Sequence, residues 1–221
     1  MKKLSLMAMT VLTVMVSCNN ETAVKTESKS TADSGVAEVP AGTAKKEWVA
    51  VDSATMTKKW MENAAVGKEH EGLAKSDGKW VGKSTSWMAK GAPPMVSDVK
   101  MENRMILGGR FQESNYSGDM AGMAFAGRSI MGYDNYKKKY VATMMDNMGT
   151  GSYTMEGDYD AATKTYKLAG SYTNPVNGSN CEMKQHYQLV DDNTELMEMW
   201  GPDPATGEQF KTMEIKFTRV K

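Results

Sequence analysis

From residue 78 onward the chain is punctuated at nearly even spacing by turn chemistry, and this limits its fold more than any other feature. The breaks are Lys90-Gly91-Ala92-Pro93-Pro94, Gly108-Gly109, Tyr133-Asp134-Asn135, Asp160-Ala161-Ala162-Thr163, Asn174-Pro175 with Asn177-Gly178, Asp191-Asp192-Asn193, and Asp203-Pro204-Ala205-Thr206-Gly207. Glycine supplies positive φ, proline fixes it, and Asn or Asp hydrogen-bonds the backbone ahead of it. Extended runs are predicted between the breaks, over 79–88, 95–107, 109–117, 123–133, 138–147, 151–159, 164–172, 181–191, 194–201 and 208–219. Turns this short join antiparallel neighbours, because a parallel crossover needs a dozen residues or more. A ten-strand meander has two edges to protect, and closure removes both. The expected fold is therefore all-β, an antiparallel meander of about ten strands closed into a barrel. Barrels of this size fill their interior or hold one small ligand.

The other end of the chain reads as an export signal. Lys2 and Lys3 precede an apolar run over 4–16, about the length of a signal h-region and shorter than the roughly 20 apolar residues a spanning helix needs. Met15-Val16-Ser17-Cys18 resembles a bacterial lipobox, in which the cysteine is acylated and becomes the new N-terminus. The expected organisation is a signal over 1–17, a lipidated Cys18 with a tether over 18–46, and the barrel domain over 47–221. The tether is rich in Ser, Thr, Ala, Lys and Glu and has no aromatic residue, so it cannot bury enough surface to order itself. As flexible coil it spans roughly 30 Å. The expected partner is a membrane, reached through the N-terminal lipid. The expected location is the bacterial cell envelope, at the outer membrane, since Asn19 argues against inner-membrane retention. Loss of Lys2 and Lys3 leaves 25 basic against 27 acidic side chains, which excludes the electrostatic footprint of a nucleic-acid binder. Cys181 is then left without a partner and reads as a buried thiol on a face shared with Met183, Tyr187 and Leu189.

One short helix is expected before the barrel, over about 53–65, with Asp52 or Ser53 as N-cap. Met56, Trp60, Met61 and Ala64 form its apolar stripe, which is expected to pack on the domain.

Gly78-Lys79-Trp80 at the first strand resembles the Gly-x-Trp signature of lipocalin-like (calycin) barrels, and Thr218-Arg219 stands where such barrels carry an arginine over that tryptophan. A wider set of stretches resembles the bacterial domain-of-unknown-function family fifteen-seventy-nine: Glu69-His70-Glu71-Gly72-Leu73, Gly78-Lys79-Trp80-Val81-Gly82, Trp87 with Gly91-Ala92-Pro93-Pro94, and Ile106-Leu107-Gly108-Gly109-Arg110-Phe111. Gly127, Gly132-Tyr133-Asp134-Asn135, Lys139-Tyr140-Val141, Asp146-Asn147-Met148-Gly149-Thr150, Glu198-Met199 and Lys211-Thr212-Met213-Glu214 continue it in order. The chain departs from the family pattern at Ala124-Phe125-Ala126-Gly127 and Met144-Met145. The resemblance implies a lipocalin-like barrel whose base is plugged by Trp80 under Arg219. It implies no activity.

The residues suited to chemistry are few. Arg110 is a candidate for holding a ligand carboxylate or phosphate at the barrel mouth, or else an exposed hairpin arginine. Asp146 falls on the face of Tyr140, Ala142, Met144 and Met148, as a ligand contact or as a cap for the following turn. Glu198 and Trp200 share a face with Leu196, and with Trp87, Tyr133 and Tyr140 they are candidates for lining a cavity. His70 is placed to cap a helical turn or close the barrel, and His186 lies on a solvated face with Glu182, Lys184 and Gln188. No cofactor is expected. Haem on one of these histidines and Cu(I) on clustered methionine thioethers are remote alternatives, and Met120/Met123, Met144/Met145/Met148 and Met197/Met199 read first as core filler. No metal site, nucleophile elbow or phosphate loop is evident. The leading expectation is a non-catalytic, lipid-anchored barrel that binds or carries a small apolar or amphipathic molecule. An envelope enzyme using Arg110, Asp146 and Glu198 is the second reading, and a structural or interaction barrel with a filled interior is the third.

Overall fold

The structure is a computed structural model and describes residues 47–120 and 122–221. The signal, Cys18 and the tether lie outside the described residues. Ten strands follow two helices: β1 (Gly78–Ser86), β2 (Met95–Ile106), β3 (Phe111–Met120), β4 (Met123–Asp134), β5 (Lys139–Asp146), β6 (Tyr153–Asp160), β7 (Thr165–Thr173), β8 (Asn180–Asp191), β9 (Thr194–Pro202) and β10 (Gln209–Arg219). Each pairs antiparallel with its neighbour in sequence, and β1 returns to pair with β10, so the sheet is a closed barrel with no free edge. The closing register sets Trp80 opposite Arg219 and Ser86 opposite Met213. All ten expected runs are strands, with limits displaced by a few residues. Gly109 and Arg110 belong to the β2–β3 turn, where Leu107, Gly108 and Gly109 take φ of 51°, 68° and 81°. Trp87 lies just beyond β1.

Helix α1 (Ser53–Ala64) is capped by Asp52, whose Oδ1 accepts from the Thr55 amide at 2.9 Å and whose Oδ2 accepts from the Thr55 hydroxyl at 2.7 Å. The expected packing of its apolar stripe is not found. No α1 residue is buried, and Trp60 and Met61 are 67% and 70% exposed. Attachment runs instead through the helix end, where Asn135 Nδ2 donates to the carbonyls of Asn63 and Ala65 and Arg110 Nε donates to that of Ala64. A helix held by its last carbonyls need not press its side chains on anything.

A second helix, α2 (Lys68–Ala74), was not expected as a separate element. Gly67 separates it from α1, and the Gly67 amide donates to His70 Nδ1 at 3.2 Å. Its seven residues carry too little periodicity to be told from a turn. Leu73 and His70 are buried, and the His70 ring meets Tyr133 edge-on at 6.0 Å. Gln112 Nε2 donates to the Leu73 carbonyl at 2.6 Å, and α2 packs against β2, β3 and β4. The helix thus closes one end of the barrel. Below it the core is filled by Trp80, Phe217, Met101, Tyr166, Leu168 and Met155, each at most 2% exposed.

Candidate functional site

The opposite end of the barrel is open. Inward positions there are small on one side, with Ser84 and Ser86 on β1 and Gly118 on β3, so the lumen that large residues fill near Trp80 stays hollow above Val99 and Ile215. The result is a cavity of about 400 Å³. Among the described residues seven methionines line it: Met95, Met120, Met144, Met183, Met197, Met199 and Met213. Strand alternation selects them. Met144 faces in while Met145 is 42% exposed, and Met197 and Met199 face in on either side of the outward Glu198. Register brings them together, since Met199 is directly opposite Met213, and Ser86 is opposite both Met213 and Met95. Tyr116, Phe125 and Tyr153 contribute aromatic faces. Long, unbranched and polarisable side chains give a wall that can reshape around different apolar guests.

Below the cavity lies a buried polar network. Ser76, in the turn after α2, accepts from Trp80 Nε1 at its carbonyl at 2.9 Å and shares a hydrogen bond with the Tyr187 hydroxyl at 2.9 Å. Asn103 Nδ2 donates to Ser76 Oγ at 2.6 Å, and Asn103 Oδ1 is buried with no partner among the described residues. Tyr187 in turn donates to Glu195, which is 1% exposed. Burial pushes the Glu195 carboxyl up to about 7, against the opposing pull of the Tyr187 and Ser76 hydrogen bonds and the charge of Arg219. Tyr116, which also faces the cavity, is pushed up to about 12 by burial, with the charge of Glu195 adding to the rise. Glu195 is thus a buried carboxyl raised toward neutrality by its loss of solvent.

The profile of the family described as "Protein of unknown function (DUF1579)" matches residues 65–219, which takes in α2 and the whole barrel. The chain belongs to the DUF1579 family. No curated protein matches it. Among solved structures, the crystal structure of Rv2717c from M. tuberculosis is similar over 71% of this chain and 100% of its own, with a TM-score of 0.53 and 9% identity. The S-type phycobiliprotein lyase CPES from Guillardia theta is similar over 73% of this chain and 97% of its own, with a TM-score of 0.50 and 8% identity. At such identities the likeness concerns the fold alone.

Within the DUF1579 region, the residues singled out by sequence fall at different places. Trp80 is 1% exposed at the closed end, and Arg219 lies 4.1 Å above its ring centroid. Asp146 lines the cavity, and its Oδ1 also accepts from the Met148 amide at 2.9 Å, so it is both a lip residue and a turn cap. Arg110 is not at the mouth. It sits at the closed end, tied to the carbonyls of Ala64 and Leu107 at 3.0 and 3.2 Å. Tyr133 and Tyr140 are also at the closed end, with ring centroids 5.0 Å apart, and Tyr140 packs on Tyr166 at 4.9 Å as core. Glu198 and Trp200 point outward, Glu198 to Lys211 at 3.0 Å and Trp200 to the ring of His186 at 4.5 Å. Trp87 stands at the rim outside the cavity lining, its amide donating to the Thr212 carbonyl at 2.9 Å.

Arg110, Asp146 and Glu198 therefore share no pocket, and the constellation proposed for an enzyme is not assembled. Neither histidine reaches the cavity. Sequence reasoning missed Glu195 and did not bring the methionines to one site. The signal for both was the alternation Glu195-Leu196-Met197-Glu198-Met199-Trp200, with one glutamate and two large apolar residues on each face.

Proposed function

We propose that this chain is a lipid-anchored envelope barrel that binds or carries a small apolar or amphipathic molecule in its methionine-lined mouth, without catalysis. The observation that carries this reading is the cavity itself. It is open to solvent and mainly apolar, with a few serine, tyrosine and aspartate side chains among the methionines, and of a size that takes a small molecule. Keeping seven flexible thioethers around a hollow is poor design for a structural plug, because each unfilled volume forfeits packing energy. The shared fold with a phycobiliprotein lyase supports a ligand-holding barrel. Membrane attachment rests on the basic n-region, the apolar run and the lipobox-like Met15-Val16-Ser17-Cys18. One acyl chain binds a membrane only marginally, whereas the several of a bacterial lipoprotein would anchor it firmly.

Native mass spectrometry on the full chain, expressed with its own signal and purified gently, tests the carrier reading. A reproducible additional mass that is lost on denaturation is the expected result. A clean apo mass that persists after incubation with lipid extract would overturn it. The anchor is tested by Cys18→Ser, which is expected to move the protein from the membrane fraction to the soluble fraction of the cell.

A further inference from the structure

The lining of the mouth has a sign. Among the described lining residues, the charged side chains are Asp119 and Asp146, and no lysine, arginine or histidine is present. Each carboxylate uses Oδ1 on a backbone amide, Asp119 on Gly122 at 2.8 Å and Asp146 on Met148 at 2.9 Å. Among the described residues no cation contacts the remaining oxygens. Lysines at this end of the barrel are engaged elsewhere: Lys211 with Glu198 and Glu214 at 3.0 and 2.6 Å, and Lys90 with Glu208 at 3.3 Å.

The rest of the lining adds to the same polarity. Tyr116, Phe125 and Tyr153 offer π faces, which are electron-rich and attract cations within about 6 Å of the ring centroid. Thioether sulfurs are weak acceptors with no donor hydrogen. A carboxylate carried into this mouth would meet two like charges, with only the neutral hydroxyls of the serines and of Tyr116 and Tyr153 as side-chain donors. An ammonium group at the lip would meet both carboxylates while its apolar body lies among the methionines.

Resting on the ligand-binding reading above, we propose that the mouth selects amphiphiles with a cationic head, an apolar body ending in an ammonium group, over fatty acids of equal length. Asp146 supplies most of the discrimination, because it ends β5 on the inward face it shares with Met144 and is half-buried, whereas Asp119 is exposed. One favourable unit charge near the lip corresponds to about a tenfold gain in affinity over the uncharged analogue. The gain shrinks as salt screens it.

The test uses the full chain labelled with ε-¹³C-methyl methionine, whose methyl signals report the wall directly. Octyltrimethylammonium, octanol and octanoate are titrated separately at low ionic strength. The expected result is that all the methyl shifts fall on the seven mouth methionines, with the ammonium tightest, octanol about tenfold weaker and octanoate weakest. Asp146→Asn is expected to erase the difference between ammonium and octanol, and raised salt to narrow it in the unmodified chain. Octanoate binding as tightly as the ammonium would overturn the charge selection while leaving the carrier reading intact. An absence of methyl shifts with all three would instead overturn the carrier reading. If Asp146→Asn does not fold, Asp119→Asn and the salt series decide the same point.

Discussion

Glu195 accepts a hydrogen bond from the Tyr187 hydroxyl inside the barrel, so a carboxyl group is held where water does not reach it. The arrangement ties this carboxyl to the turn after α2, because Tyr187 also bonds Ser76 and the Ser76 carbonyl accepts from Trp80 Nε1.

The pH dependence of stability follows from that carboxyl. The Glu195 carboxyl lies at about 7 in the folded chain and has a reference value of 4.5. Below about pH 4.5 it is protonated whether folded or unfolded, and its contribution to stability is complete. Between about 4.5 and 7 the unfolded chain loses the proton first, so stability falls as pH rises, by about 3 kcal/mol in all, and it levels off above 7. Carboxyls held down by partners, such as Asp160 at about 2 beside Lys167, act below this window. Glu195→Gln is expected to flatten the slope between pH 5 and 8 in urea unfolding and to be the more stable protein at pH 8. An unchanged slope would show that Glu195 titrates as an ordinary surface acid.

Trp80 plugs the closed end. Its indole is buried, its Nε1 donates to Ser76, and Arg219 covers its outer face at 4.1 Å. Trp80→Ala is expected to cost about 3–5 kcal/mol, read as a drop in the urea midpoint. Arg219→Met keeps the packing stem and removes the donors, which reach the carbonyls of Lys75, Asp77 and Asp192. A smaller loss is expected there, about 1–3 kcal/mol. Equal stability of Trp80→Ala and the unmodified chain would sink the assignment of Trp80 as the barrel base.

Glycine is required where strands approach most closely. A methyl group built on Gly157 would lie 1.9 Å from the Lys167 carbonyl oxygen, and the backbone cannot swing away without breaking the β6–β7 register at Gly157 and Leu168. Gly151, in the β5–β6 turn, has nothing within 4 Å of that position. Gly157→Ala is expected to destabilise by about 3 kcal/mol or more, against about 0.5 kcal/mol or less for Gly151→Ala. Thermal unfolding of the two variants side by side checks the contrast.

Much of the barrel was legible because turn residues carry their own mechanism. Asp134, Asp160, Asn174, Asp191 and Asp203 each accept from backbone amides two or three residues ahead, as their residue types predict. The site was less legible, because alternation says which residues share a face and not which face is inside. On β9, Leu196, Glu198 and Trp200 compete with Glu195, Met197 and Met199, and the two sets are nearly equal in apolar content. Closure decides between them, by putting Met199 opposite Met213 and Glu195 opposite Phe217. Nor can periodicity distinguish an inward aromatic at the closed end, such as Tyr140, from one at the mouth. That requires knowing which end α2 covers. Asp146 was readable since its face on β5 holds Tyr140, Ala142 and Met144, while the other holds Thr143 and Met145.

The separation of the sequence candidates gives the sharpest functional contrast. Arg110 and Glu198 lie outside the mouth, so Arg110→Ala and Glu198→Gln are expected to leave octanol or octyltrimethylammonium affinity within about twofold of the unmodified chain. Stability should change by no more than about 1 kcal/mol, as is usual for exposed polar contacts. Met199→Trp acts in the opposite sense. Its larger side chain projects into the hollow beside Met213, and an open cavity of about 400 Å³ has room to receive it without the overpacking penalty of a filled core. Affinity is expected to fall at least tenfold while the unfolding midpoint stays near that of the parent. If Met199→Trp binds as before and Glu198→Gln does not, the ligand sits on the outer face of β9 and the mouth is not its site.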